Sequence, residues 1–231
     1  MKINCPKCNA NEIIKNGQRR GKQNYRCKKC GRQFVEFYSD IGYDLQTREE
    51  CLKMYLNGSG FRAIERVKKV NHNTVIRWVK KAGKKILNNK DKYEIPLVGQ
   101  LDELQTFVGN KKNKIWIWTA VNKAKKGILE WQIGDRSSNT FEKLWEKVKD
   151  WKCFFWITDG YKVYPSFIPD GAQIISKTYM TRVEGENSRL RHYLARLHRK
   201  TFCYSKCQEM LLLSIKLLIY YLNNNDISLI I

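Results

Sequence analysis

The stretch LVGQLDELQTF, Leu97–Phe107, decides how the second half of this chain folds. Leu97, Val98, Leu101 and Leu104 mark it as an apolar strand, and Pro96 sets a break just before it. Asp102 sits inside that strand. A carboxylate among apolar neighbours carries a desolvation cost unless it has a partner, and a metal ion is a natural one. Outward from this run, the pattern predicts strands at Lys114–Val121, Ile128–Ile133 and Cys153–Thr158, with a helix around Thr140–Asp150 between the last two. A further strand fits Gln173–Ser176 and a helix fits Arg182–His198.

Three antiparallel-looking strands, a helix, a strand and then helices suit an α/β layer of the ribonuclease H type. Asp159 falls at the end of the fourth strand, before Gly160, and ligands collect at the strand ends of such sheets. Taken alone, Asp159-Gly160 reads equally as an ordinary turn. Glu184 lies in the first turn of the following helix; Asn187 and Arg191 follow at i+3 and i+7 and share its face. Val183, Leu190, Leu194 and Leu197 line the neighbouring core face.

At the other end, Cys5-Pro-Lys-Cys8 and Cys27-Lys-Lys-Cys30 form two C-x2-C knuckles, the spacing of a zinc site with four thiolate ligands. Residues 1–36 are too few to bury much apolar surface, so a structural Zn2+ supplies the missing stability. Lys15, Arg19, Arg20, Lys22, Arg26, Lys28, Lys29 and Arg32 surround these knuckles.

Residues 45–86 read as a helix-turn-helix. Thr47-Arg-Glu-Glu50 has a capping-box pattern, and Cys51, Leu52, Tyr55 and Leu56 form an apolar stripe that ends at Asn57-Gly-Ser-Gly60. Phe61, Ile64 and Val67 fit a short second helix, and a third begins near Asn71–Asn73. On that third helix Val75, Val79, Ala82 and Ile86 make one buried face. Asn73, Arg77, Lys80 and Lys84 make another, suited to a major groove or to plain solvent. The polar run from Leu87 to Glu94 reads as a linker to a third region, 96–231.

The chain has 231 residues with 44 Lys+Arg against 22 Asp+Glu, a formal net charge of +22. That surplus implies a polyanionic partner, since each neutralised phosphate releases a condensed counterion. A membrane surface is the other polyanion to consider, but no membrane partner is expected: no stretch is long enough to span a bilayer, and the best apolar run, Met210–Leu222, is broken by Ser214 and Lys216. It reads as core or as a subunit interface. Met1-Lys-Ile-Asn4 shows no apolar signal segment, so the expected compartment is a reducing cytoplasm, at the nucleoid. Cys153, Cys203 and Cys207 are then expected in the core.

The segments GQLDELQTFVG (99–109), WITDGY (156–161) and VEGEN (183–187) resemble the three carboxylate motifs of insertion sequence 1 transposases. The tail LRHYLARLHRKTFCYSK (190–206) is similar to that family as well, and the zinc ribbon and helix-turn-helix come in the matching order. The resemblance implies a multidomain α/β protein with a C-terminal ribonuclease H-like DDE catalytic core. It implies Asp102, Asp159 and Glu184 as catalytic residues holding Mg2+ (or Mn2+), and double-stranded DNA, element ends and target, as substrate. Glu186 lies about 200° round the helix from Glu184, so only one of the two faces the site; the family match and the shared face with Asn187 and Arg191 favour Glu184. Arg191, Arg196, Arg199, Lys200 and Asn187 are the expected contacts to DNA near the site. Joining two ends implies a homodimer or higher assembly. A DNA-binding transcription regulator without catalysis, and a ribonuclease H-like nuclease or resolvase, are the alternatives.

Overall fold

The structure, a computed structural model, describes residues 3–19, 21–35, 42–86 and 94–230. Arg20, the end of the proposed zinc ribbon at Glu36 and the proposed linker up to Tyr93 lie outside the described residues. The chain forms two compact units, Met1–Asp44 and Leu45–Ile231.

The first unit is a three-stranded antiparallel sheet of β1 (Ile13–Arg19), β2 (Lys22–Cys27) and β3 (Gln33–Val35), in that order. Its core is small: Cys5, Tyr25, Cys27 and Phe34 are buried, with Ile3, Cys8, Ala10, Ile13 and Cys30 packed against them.

The second unit opens with three helices, α1 (Leu45–Leu56), α2 (Phe61–Lys68) and α3 (His72–Lys85). α1 starts two residues before Thr47, which therefore lies in its first turn and not at its cap. Asp44, a good capping residue type, precedes Leu45. The stripe Cys51, Leu52, Tyr55 and Leu56 is buried as expected. In α2 only Ile64 is buried; Val67 faces solvent at 66% exposure. Asn71 caps α3 by accepting from the Asn73 N–H at 2.9 Å, and Val75, Val79 and Ala82 are buried.

A mixed five-stranded sheet follows, built from β4 (Val98–Phe107), β5 (Lys114–Asn122), β6 (Ile128–Gly134), β7 (Phe155–Thr158) and β8 (Gln173–Ile175). The strand order is β6-β5-β4-β7-β8. The β4/β5 and β5/β6 pairs are antiparallel, and the β4/β7 and β7/β8 pairs are parallel. The parallel pairs require crossovers. The first runs through α4 (Ser138–Val148), which covers one face with Leu101, Trp118, Phe141, Leu144 and Trp156.

The other face is covered by α5 (Thr181–Tyr193) and α6 (Gln208–Asn224). Alternation along β4 divides the faces: Leu101 joins the α4 side, Leu104 the side shared with α5 and α6. That second core runs on without a break into α1–α3, so Leu52, Ile64 and Val79 share one cluster with Ile117, Val183 and Leu211. At the α3/α6 contact a Cβ on Gly83 would stand 3.0 Å from the Leu213 Cβ and carbonyl oxygen, so glycine permits the approach. The apolar run Met210–Leu222 is core over most of its length. α5 stops at Tyr193, short of the expected His198, because Leu194 turns extended (φ −117°, ψ 111°) before a short 3-10 turn, Ala195–Leu197. Cys203 and Cys207 are exposed, against expectation, and Cys153 is half-buried. No helix among the described residues is long and apolar enough to cross a membrane.

Candidate active site and metal centre

The four-cysteine cluster sits at one end of the small sheet, where two tight turns present the knuckles. Asn9 accepts a left-handed conformation (φ 54°) after the first knuckle and Gly31 (φ 74°) after the second. The Asn9 N–H donates to the Cys5 carbonyl and the Gly31 N–H to the Cys27 carbonyl, each at 2.9 Å. The sulfurs of Cys5 and Cys30 lie 3.6 Å apart, as do those of Cys8 and Cys27. All four lie within 4.8 Å of one another. A tetrahedral ion with Zn–S near 2.3 Å needs sulfurs roughly 3.8 Å apart, so the donor set and spacing fit zinc. Burial raises the Cys5 thiol, but hydrogen bonds from the Lys7 and Cys8 backbone and from neighbouring thiols outweigh it and bring the pKa to about 6. At Cys8 a backbone hydrogen bond at Ala10 lowers the pKa, yet burial and the surrounding thiols push it up to about 12. Crowded thiols that share protons in this way are what a cation relieves.

In the second unit, the β4/β7 register pairs Val98 with Phe155 and Gln100 with Ile157. Asp102 lies two residues beyond the last pair on β4, and it feels the charge of Asp159, just past the end of β7. Asp159 immediately follows Thr158, the last residue of β7. Gly160 then turns the chain at φ 83°, and a Cβ there would meet Ile175 at 2.8 Å. The Asp159 carboxylate accepts from the Tyr161 N–H at 2.9 Å, which fixes its direction.

Asp102 points to the α5 side. Burial raises its carboxyl to about 6; a hydrogen bond from Asn187 opposes this, and the charges of Glu103 and Asp159 add to it. The Asn187 amide donates to Asp102 Oδ2 at 2.8 Å and accepts from the Thr119 hydroxyl at 3.1 Å. Asn187 is thus buried against the carboxylate and has no free face for DNA. Its spacing from Glu184 showed only that the two share a helix face; the partner on β4 could not be read that way.

Gln100 positions the helix that carries Glu184. Its buried amide accepts from the Val183 N–H at 2.9 Å and donates to the Tyr179 carbonyl at 2.5 Å. This satisfies one of the open donors of the α5 first turn, where the N-cap residue Met180 offers no side-chain bond. Glu184 is exposed in that turn. Glu186 is buried: it accepts from the Gly127 N–H at 3.0 Å and pairs with Arg189 at 2.9 Å. Among the described residues the four cysteines are the one set of three or more metal-ligating groups whose ligand atoms all lie within 4.8 Å of one another, so the three acids do not all come that close together. Their donors are all carboxylate oxygens, which suit Mg2+ or Mn2+, and Asp102 and Asp159 repel each other in partly dehydrated surroundings.

The basic residues sort differently from the sequence expectation. Arg191 is half-buried, and its charge feels both Asp102 and Arg199. Arg199 and Lys200 are exposed. Arg196, expected on phosphates, is buried at 7% exposure. It donates to the Tyr55 hydroxyl at 2.7 Å and to Ser205 Oγ at 2.8 Å, tying α1 to the segment before α6. On α3, Asn73 and Arg77 are exposed, while Lys80 and Lys84 both pair with Glu209 of α6, at 2.9 and 3.0 Å. Glu103 was not singled out from sequence. Its side chain lies on the α4 side, almost wholly buried, and accepts from Arg136 and from the Tyr164 hydroxyl.

The family model described as IS1 transposase matches residues 96–226. The insertion element IS1 protein InsB of Shigella flexneri is 33% identical over 124 residues, covering 54% of this chain and 92% of that protein. The insertion element IS1 9 protein InsB of Escherichia coli K12 is 32% identical over 130 residues, 56% of this chain and 76% of that protein.

Proposed function

The chain belongs to the IS1 transposase family and is a DDE-type enzyme that acts on DNA, and from that premise we propose that it binds the terminal inverted repeats of an insertion sequence, cuts there and joins the freed ends to target DNA. Asp102, Asp159 and Glu184 are the catalytic carboxylates in this reading. The observation that carries it is the charge of Asp159, at the end of β7, acting on Asp102 of the adjacent β4, which supports the two as one site. The strand order β6-β5-β4-β7-β8 supports a ribonuclease H-like core. The buried ties of Glu186 to Gly127 and Arg189 support Glu184 as the third acid.

The three carboxylates would hold Mg2+ or Mn2+, which when bound stabilises charge developing on the attacked phosphodiester. The rest of the site acts by position. Asn187 holds the Asp102 carboxylate, the Tyr161 N–H holds that of Asp159, and Gln100 anchors the α5 start beneath Glu184. Water attacks the phosphorus at the element end, the P–O3′ bond breaks, and a 3′-hydroxyl is freed. That hydroxyl then attacks a target phosphodiester, forming one P–O bond as another breaks, so no external energy source is needed. No covalent link between protein and DNA arises.

Residues 1–36 act as a zinc ribbon, 45–86 as the DNA-reading helices and 96–231 as the catalytic region in this proposal. Asn73 and Arg77 reach base edges, with Lys80, Lys84, Arg191, Arg199 and Lys200 near the backbone, and two or more copies bring two ends together. The formal charge of +22 supports a nucleic-acid partner. The test is a duplex carrying the element end, incubated with the full chain in Mg2+. Wild type nicks at the end, whereas Asp159→Asn binds the duplex with unchanged affinity and nicks nothing. Equal nicking by Asp159→Asn would refute the assignment.

A further inference from the structure

We propose that Glu103, Arg136 and Tyr161 form a clamp that positions Asp159 against Asp102 for metal binding; this rests on the two aspartates being metal ligands. The clamp is a chain of contacts from β4 to the turn after β7. Glu103 follows Asp102 directly on β4 and points to the opposite face, where Arg136 Nε donates to it at 2.9 Å. The Arg136 guanidinium lies between two rings, 4.0 Å from the centroid of Tyr161 and 4.6 Å from that of Trp116. The Tyr161 hydroxyl donates to the Arg136 carbonyl at 2.9 Å. The Tyr161 N–H in turn donates to the Asp159 carboxylate at 2.9 Å. The path therefore begins one residue from Asp102 and ends on Asp159 itself.

Its base is rigid. Arg136 lies between Asp135 and Ser137 at the start of α4, where the Asp135 carboxylate accepts from the Ser137 and Thr140 hydroxyls. The Asp135 carbonyl accepts from the Trp118 indole at 2.9 Å. Tyr164 closes the other side by donating to Glu103 Oε2 at 2.7 Å. β7 ends at Thr158, so no strand pairing holds Asp159 in register. The turn after it carries Gly160 in a left-handed conformation, and the stacked Tyr161 ring takes over the task that strand pairing has left. A planar guanidinium suits this place, because it can stack on both rings while its edge pairs with the carboxylate.

The experiment measures Mn2+ binding to the full chain by electron paramagnetic resonance, alongside affinity for the end duplex. Asp159→Asn defines the background and should lose the site. Tyr161→Ala and Arg136→Met should weaken Mn2+ binding at least about fivefold while duplex affinity stays within about twofold. Tyr161→Phe, which keeps the ring and loses only the hydroxyl contact, should fall in between and folds without difficulty. The Glu103→Gln/Arg136→Met pair avoids a lone buried charge and should match Arg136→Met. Wild-type Mn2+ affinity in Tyr161→Phe and Tyr161→Ala, with Asp159→Asn deficient, overturns the clamp alone. Duplex affinity lost in Arg136→Met at unchanged Mn2+ affinity makes Arg136 a DNA contact and also overturns it. Wild-type Mn2+ binding by Asp159→Asn removes the metal assignment on which the clamp rests.

Discussion

Asp102 holds its proton to about pH 6 because burial disfavours its charged form more than the Asn187 amide favours it. Its folded pKa thus stands above the ordinary value of 3.8. The metal-free protein therefore binds this proton more tightly folded than unfolded, and it loses stability as pH rises from about 4 through 6. Asp102→Asn removes the charge and leaves an oxygen to accept from Asn187. Without added divalent metal, calorimetry should find this variant more stable than wild type above pH 6, by on the order of 2 kcal/mol, and equal to it near pH 4. A constant difference across that range would place the stabilisation elsewhere. The cost of burying Asp102 was legible in sequence, since an acid interrupts an apolar strand. The partners of that acid were not. Asn187 lies 85 positions away, and Glu103 looked like any polar strand residue until its burial against Arg136 and Tyr164 was seen.

At the scale of elements, periodicity gave the strands closely, with β4 starting at Val98 one residue inside the expected Leu97. It placed the helix ends less well. α1 begins at Leu45 although Thr47 offered the better capping box, and α5 ends where Leu194 turns extended despite an unbroken helical pattern up to His198. The α5 end is set by packing, since Leu194 to Leu197 are all buried, whereas Leu45 at the α1 start is 68% exposed and follows Asp44, a capping residue the pattern passed over. On α3 the basic face was legible, but the pairing of Lys80 and Lys84 with Glu209, 129 and 125 positions on, was not. If that face meets DNA, Glu209 competes with phosphate for two cations. Glu209→Gln should then strengthen binding to the end duplex about two- to fivefold and steepen its salt dependence, as measured by fluorescence anisotropy over a salt series. Unchanged affinity and slope would take Lys80 and Lys84 out of the DNA surface.

At the scale of the whole molecule, the two units have different sources of stability. Leu45–Ile231 carries a continuous core from α1 through the sheet to α6. That continuity was not legible, because an apolar stripe on a helix does not say which element it meets. Among the described residues of Met1–Asp44 four apolar ones are buried, two of them cysteines of the cluster, so a metal held there would stand in for a core. Cys27→Ser should lose the bound zinc in elemental analysis and unfold the first unit, while the melting of the second unit stays within about 2 °C of wild type. Retained zinc would contradict the assignment of these four ligands.

In the proposed mechanism Asp102, Asp159 and Glu184 work as one site in cutting and joining DNA. The most direct test is a strand-transfer assay in Mg2+ with labelled element ends and a target duplex, comparing Glu184→Gln with Glu186→Gln. Glu184→Gln is predicted to join nothing, and Glu186→Gln, once shown to be folded, to join ends at close to the wild-type rate. Wild-type joining by Glu184→Gln, with joining lost in a folded Glu186→Gln, would make Glu186 the third carboxylate.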